Sequence, residues 1–127
     1  MSFCTAVNCI DGRVQEPVSN YLRNYFKVKY VDSITEAGPN LILSNQHPKT
    51  NVEAILQKLN VSIEAHSSQG IGIVAHHDCA GNPATKNQQL YDLNQSGLFL
   101  QSQFPKLEIV KLWIDEEFKV IKLIIEK

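Results

Sequence analysis

Two cysteines and a histidine are the residues of this chain best suited to chemistry. Cys9 ends one short apolar stretch, and His76 and Cys79 follow another at residues 71–75. His76 and Cys79 are three residues apart, so one tight turn lets both side chains reach a single ion. Two thiolates and one imidazole are a three-ligand set for Zn²⁺, with the fourth position left for water or another side chain. The alternatives are that the two cysteines are small buried hydrophobes or a redox pair.

Asp11 and Arg13 form a second candidate feature beside Cys9. In an extended segment these three residues alternate, so all three side chains project to one side. The guanidinium can pair with the carboxylate and keep Asp11 ionised and oriented. Asp11 then either accepts a hydrogen bond from a zinc-bound water, which leaves the site open, or becomes the fourth ligand, which closes it. An ordinary loop ion pair is the alternative interpretation.

The other histidines and the third cysteine are expected to lie outside the ligand set. His77 neighbours His76, and adjacent side chains on an extended segment point in opposite directions, so we expect His77 to have a supporting or structural role. Cys4 lies inside the first apolar stretch and is expected in the core. His47 is predicted in a loop, and His66 on a helix near the surface.

Length and composition predict one globular domain, residues 1–127, with 43% hydrophobic and 20% charged residues. A net charge of −1 gives no reason to expect nucleic acid or an anionic membrane as a partner. The N-terminus does not resemble a signal peptide, and no apolar run approaches the roughly 20 residues that cross a bilayer. We therefore expect a cytoplasmic protein, in which thiols stay reduced and can bind metal.

The apolar patterns predict five strands and three helices. The strands are expected at residues 3–9, 28–34, 71–76, 107–114 and 120–125. The first helix is expected to have Pro17 in its first turn, the second to be capped by Thr50 or Asn51 and terminated by Gly70, and the third to run through residues 90–104 and end before Pro105. Residues 36–40 are predicted to be a loop, and residues 41–43 fit either a buried helical turn or a strand.

The order of these elements predicts an α/β fold of three layers. Strands that alternate with helices favour a mainly parallel five-stranded sheet in the order 2-1-3-4-5, and the last strand is expected to return antiparallel as an edge strand. In that order the connections leave in opposite directions between strands 1 and 3, where such folds bind ligands. Cys9 ends strand 1 and His76 ends strand 3, so topology and ligand chemistry indicate the same place.

Three segments resemble motifs of the β-class carbonic anhydrases. Residues 9–14, Cys-Ile-Asp-Gly-Arg-Val, are similar to that family's Cys-x-Asp-Ser-Arg. Residues 76–81, His-His-Asp-Cys-Ala-Gly, are similar to its His-x-x-Cys-Gly, and residues 36–40 look like a divergent form of its Asn-Ala-Gly-Asn loop. Gly12 stands where the family has Ser, and Ala80 separates the cysteine from its glycine. The family's N-terminal helical arm is expected to be missing.

The resemblance implies that Cys9, His76 and Cys79 bind zinc and that Asp11 and Arg13 are the catalytic dyad. It also implies reversible hydration of carbon dioxide to bicarbonate, and a homodimer or higher homo-oligomer with the active site near the subunit boundary. We expect a zinc ion to lower the pKa of its bound water and so supply a hydroxide nucleophile. The alternatives are a zinc-binding protein of the same fold with little or no activity, and a related hydrolase acting on another small linear substrate such as carbon disulfide.

Overall fold

A computed structural model describes residues 2–124 and shows one five-stranded sheet in the order β2-β1-β3-β4-β5. The β4–β5 pair is antiparallel and the other pairs are parallel. The predicted fold class and strand order are therefore confirmed. The elements are β1 (Phe3–Cys9), α1 (Gly12–Phe26), β2 (Tyr30–Glu36), α2 (Pro39–Asn45), α3 (Lys49–His66), β3 (Gly70–His76), α4 (Lys86–Gln103), β4 (Glu108–Ile114) and β5 (Val120–Leu123).

The four parallel strands end at one edge of the sheet. Cys9 pairs with Glu36 across β1 and β2, and His76 pairs with Ile114 across β3 and β4. Since β1 and β3 are also parallel neighbours, the carboxyl ends of all four strands lie along the same edge. This carboxyl edge is where open α/β sheets bind ligands.

Helices cover both faces of the sheet, and every residue of the central strand β3 is therefore buried. Its alternate side chains pack in opposite directions, as the two-residue period of a strand requires. Ile73 joins the core under α2, α3 and α4, and Val74 joins the core under α1. None of the helices within residues 2–124 has the length and apolar character needed to cross a membrane.

The first helix begins at Gly12, so the expectation that Pro17 lies in its first turn is wrong. Asp11 caps this helix, because its carboxylate accepts a hydrogen bond of 2.9 Å from the backbone N–H of Arg13. Pro17 lies inside the helix. The Cys9–Arg13 segment therefore turns at once into a helix and is not extended.

The second strand lies two residues later than predicted, at Tyr30–Glu36. Val28 instead closes the end of α1, with its N–H bonded to the carbonyl of Arg23 at 3.1 Å. The predicted loop at residues 36–40 shrinks, since Pro39 already occupies the first turn of α2. Residues 41–43 belong to that helix, which settles an assignment that the sequence left open.

The second long helix, α3, begins after Pro48, so Thr50 and Asn51 are not its cap. Gly70 opens β3 and does not terminate the helix. A Cβ at Gly70 would lie 2.3 Å from Cε1 of Phe26, so the glycine lets this ring pack against the start of β3. The third predicted helix is α4, capped by Thr85 through a bond of 3.2 Å from the N–H of Gln88. The last strand ends at Leu123, so Ile124 lies beyond it, and position 125 is outside the described residues.

Candidate metal centre

Three ligand atoms converge at the carboxyl edge of the sheet. Cys9 is the last residue of β1, His76 is the last residue of β3, and Cys79 lies in the turn that follows. One ligand atom of each side chain lies within 4.8 Å of the others, and all three residues are buried. The two Sγ atoms are 3.9 Å apart. Two sulfurs bound at about 2.3 Å to a tetrahedral zinc would be about 3.8 Å apart, so the cluster fits a metal ion of that kind.

A left-handed residue and a close contact between loops bring Cys79 to the other ligands. Asp78 has φ +58°, a conformation that Asp tolerates better than most residues, and the chain reverses there. Two residues after Cys79, Gly81 lies against the loop that follows β2. A Cβ at Gly81 would lie 2.3 Å from the carbonyl carbon of Ala37, so only glycine allows this contact. The turns after β2 and β3 are thereby fixed against each other.

The ring of His76 is oriented by its own neighbour. Its Nδ1 lies 2.7 Å from the backbone carbonyl oxygen of His77, and a carbonyl only accepts, so Nδ1 carries the proton. Nε2 is buried and has no hydrogen-bond partner among residues 2–124. The bond at Nδ1 orients the ring, and it leaves Nε2 as the ring atom that can bind a metal ion beside the two sulfurs. The side chain of His77 itself is exposed.

The Cys79 thiol beside this nitrogen needs a nearby cation in order to ionise at neutral pH. Burial, and then the neighbouring Cys9, raise the pKa of the Cys79 thiol to about 11. At neutral pH this thiol therefore stays protonated unless a positive charge compensates for it, and a bound divalent ion deprotonates coordinating thiols outright. Cys4 is also completely buried, but it packs in the core under α1, as predicted.

Asp11 and Arg13 form a multiply bonded pair at the edge of the cluster. Nε of Arg13 donates to Oδ1 at 3.0 Å, and Nη2 donates to Oδ2 at 2.7 Å. These bonds from Arg13 lower the pKa of Asp11 to about 2. Oδ2 of Asp11 lies 4.0 Å from Nε2 of His76. The extended geometry expected for this pair is wrong, since a helix cap places the two groups.

Arg13 also contacts two segments that sequence reasoning did not connect with it. Its Nη2 donates to the backbone oxygen of Asp78 at 3.3 Å, and its guanidinium lies 5.6 Å from the centre of the Phe118 ring. One side chain therefore links the end of β1, the turn after β3 and the β4–β5 hairpin. The position of Asp78 between His76 and Cys79 was a usable signal in the sequence, whereas nothing in the sequence marks Phe118.

The remaining histidines lie away from the cluster, as predicted. His66 ends α3 and its Nδ1 is 2.7 Å from Oδ2 of Asp32. His47 is exposed in the segment between α2 and α3. Within the described part of the chain, no other group of three His, Cys, Asp or Glu residues could hold a metal ion.

Known proteins share the sequence family and the fold of this chain. The family described as "putative carbonic anhydrase" matches residues 1–124. Among solved structures, the chain is similar to the β-carbonic anhydrase CafA of the fungal pathogen Aspergillus fumigatus, with a TM-score of 0.55 and 13% sequence identity over 99% of this chain and 76% of that one. A search of curated proteins gives no match. The fold is thus that of a β-carbonic anhydrase, and by its sequence the chain belongs to the "putative carbonic anhydrase" family.

Proposed function

We propose that this protein is a zinc-dependent carbonic anhydrase that catalyses the reversible hydration of carbon dioxide to bicarbonate. The observation that carries the proposal is Nε2 of His76, which has no hydrogen-bond partner among the described residues and is buried beside two sulfurs that are 3.9 Å apart. Family membership and the fold of the Aspergillus enzyme support the same reaction.

Cys9, His76 and Cys79 would hold the zinc ion in this proposal. A zinc ion with an open position supplies Lewis acidity and lowers the pKa of bound water toward neutral. The chain itself would hold these ligands in position before the metal binds. The bond from His76 to the backbone of His77 fixes the ring, and the contact between Gly81 and Ala37 fixes the turn that carries Cys79.

Asp11 would orient the reacting water and would not act as its base. Its pKa of about 2 means that it stays ionised and is a poor proton acceptor at neutral pH. Because Arg13 holds both carboxylate oxygens, the acceptor direction of Asp11 is fixed. A fixed acceptor near the cluster can hold the hydrogen of the water, so that a lone pair faces the carbon of the substrate.

One distance favours a second candidate function. Oδ2 of Asp11 lies 4.0 Å from Nε2 of His76, so a small movement of Asp11 would make it a fourth ligand. A site closed in this way would bind zinc and catalyse little. The four hydrogen bonds from Arg13 to Asp11 oppose the movement, which is why we prefer the open site.

Stopped-flow measurement of carbon dioxide hydration, on protein of measured zinc content and across pH, tests the proposal. We expect turnover that scales with zinc content. Asp11→Ala should keep its zinc and lose turnover by about a hundredfold or more, since it removes a positioned polar group. Glu64→Ala, which alters an exposed carboxylate on α3, is the matched control and should behave as the unaltered protein.

Two outcomes would contradict this assignment. Zinc-loaded protein without turnover would favour the closed, non-catalytic site. Loss of zinc together with activity in Asp11→Ala would make Asp11 a ligand. The homodimer and the cytoplasmic location expected from the sequence are parts of the same proposal, and light scattering on the eluting protein tests the first of them.

A further inference from the structure

Gln15 makes hydrogen bonds to the backbone of two residues at the metal centre. It lies in the first turns of α1, six residues after Cys9 and four after Asp11. Its Nε2 donates to the backbone oxygen of Cys9 at 2.6 Å and to the backbone oxygen of Asp11 at 3.1 Å. One amide group therefore ties a cysteine of the cluster and the neighbouring carboxylate residue to the same helix.

The orientation of this amide follows from its neighbours. A backbone carbonyl only accepts, so the NH₂ end of the amide faces Cys9 and Asp11. The other end, Oε1, accepts from the hydroxyl of Ser33 on β2 at 3.5 Å, and Ser33 in turn accepts from Nδ2 of Asn8 at 3.1 Å. The half-buried side chain of Gln15 thus connects β1, α1 and β2 at the carboxyl edge of the sheet.

The turn that Gln15 holds determines how Cys9 and Asp11 lie relative to each other. The chain leaves β1 at Cys9 and enters α1 directly after Asp11. Ile10, between them, is 62% exposed, so its side chain contributes little packing to the turn. The bonds between Asp11 and Arg13 lie within the start of the helix and do not reach back to Cys9. Gln15 bonds to both residues and so fixes this relation.

We propose that Gln15 is a positioning residue of the metal centre, which holds Cys9 and Asp11 in the orientation that the site requires. Its two N–H groups bond to backbone oxygens, so it acts through these two residues and not on the reacting atoms. Its effect on turnover rests on the proposed hydration reaction. Its effect on metal affinity needs only the cluster of two cysteines and a histidine.

Gln15→Met tests this role, because methionine has a similar length and helix propensity but no hydrogen-bond donor. Loss of a group that orients a metal site lowers metal affinity or activity by about tenfold or more, so we expect zinc affinity to fall about tenfold. Competition with a chromophoric chelator measures it. The kcat/KM for carbon dioxide hydration, measured on zinc-saturated protein, should also fall about tenfold. Gln57→Met alters an exposed glutamine on α3 and is the matched control, in which neither quantity should change.

Two further variants separate positioning from packing. Gln15→Lys restores an N–H donor on a long side chain, and it should recover most of the zinc affinity and of kcat/KM. Ser33→Ala keeps Gln15 but removes the hydroxyl that orients its amide. It should lower both quantities in the same direction by about threefold, the effect of one modest hydrogen bond. Should Gln15→Met fail to fold by circular dichroism, Ser33→Ala decides.

Equal zinc affinity in Gln15→Met and in the unaltered protein would overturn the proposal. So would a Gln15→Lys variant as impaired as Gln15→Met, because the packing of the glutamine and not its donor would then matter. An absence of turnover in the zinc-loaded, unaltered protein would contradict the proposed function alone. The chelator competition, which does not depend on activity, would then decide whether Gln15 positions the metal centre.

Discussion

The two ends of the sheet differ in how completely their buried polar groups are hydrogen-bonded. Near the amino end, Thr5, Ser62 and Ser68 are buried and bond to one another at 2.5–3.2 Å. Asp32 extends the network, since its Oδ2 accepts from Ser62 at 2.6 Å and is 2.7 Å from Nδ1 of His66. Every side chain of this cluster has a partner, so its contribution is to stability.

At the carboxyl end some buried polar groups are bonded, such as Asp92, which accepts from Asn82 at 3.0 Å, but others have no partner. Five buried side-chain atoms in residues 2–124 have no partner: Oδ1 of Asn8, Nδ2 of Asn40, Nε2 of His76, Oε1 of Gln89 and Nε1 of Trp113. Three of these atoms belong to the last two residues of a strand, and the other two belong to the first turn of a helix. Natural proteins keep few such atoms, so their concentration at one end marks the end that meets ligands.

This difference between the two ends indicates which part of the fold contributes to stability and which part to function. A satisfied network can be removed at a moderate cost in stability and no cost in activity. Buried polar atoms without a partner lower the stability of the empty protein, and we expect them to determine what binds. The following predictions test that division.

The largest effect is expected when a cysteine of the carboxyl end is changed. Cys79→Ser should leave less than ~0.1 zinc per chain and abolish carbon dioxide hydration, because a three-ligand site cannot lose a thiolate and keep its affinity. Metal analysis and stopped-flow kinetics measure the two losses. Cys4→Ala is the matched control, since Cys4 is equally buried but packs only in the core, and it should keep both. Equal loss in the two variants would contradict the assignment.

A smaller effect is expected when the contact between the two loops is disturbed. Gly81→Ala would place a methyl group 2.3 Å from the carbonyl carbon of Ala37, and overpacking of this kind costs about 2–3 kcal/mol. Gly12→Ala is its control, because a Cβ at Gly12 would meet no atom of the described residues within 4 Å. This substitution should stabilise the protein by about 0.5 kcal/mol. Urea unfolding measures both. A neutral Gly81→Ala would show that the loops move apart freely.

The sequence predicted those features of the fold that local patterns determine. The buried run at residues 71–76 identified β3 because both of its faces are apolar, and the alternation of elements then gave the strand order. The ligand triplet was visible because cysteine and histidine at strand ends have few other uses. The start of α1 was missed because Asp11 was interpreted as part of an extended segment, whereas its carboxylate caps a helix.

Local sequence patterns do not predict contacts between residues that are far apart in the chain. Lys111 lies in the buried middle of β4, where a charge is unexpected. Its stem fits because residue 97 of α4 is glycine, and its Nζ bonds to Oδ1 of Asn94. A cavity beside Cys79 has the same origin, since Gln89 and Trp113, which line it, are far apart in the chain and only packing brings them together.

The amino-end network should prove separable from activity. Asp32→Ala removes the acceptor of Ser62 and the partner of His66, and we expect a loss of about 1.5 kcal/mol in the free energy of unfolding. Zinc content and hydration rate should stay within about twofold of the unaltered protein, because no hydrogen bond within residues 2–124 connects this network with the cluster of Cys9. Urea unfolding and stopped-flow kinetics measure the two properties. A large drop in turnover would mean that the two ends are coupled.

The smallest effect concerns a carboxylate at the carboxyl end that, unlike its neighbours, is satisfied. Oδ1 of Asp115 accepts from the backbone N–H groups of Glu117 and Lys119, and the bond from Lys119 is the main cause that lowers the pKa of Asp115. A lowered pKa stabilises the folded state above the unfolded value of about 3.9, and this contribution is lost as the pH falls through the folded value. Asp115→Asn should therefore melt slightly below the unaltered protein at neutral pH, and the two melting temperatures should converge in acid. A difference that stays constant with pH would assign the effect to the shape of the turn and not to its charge.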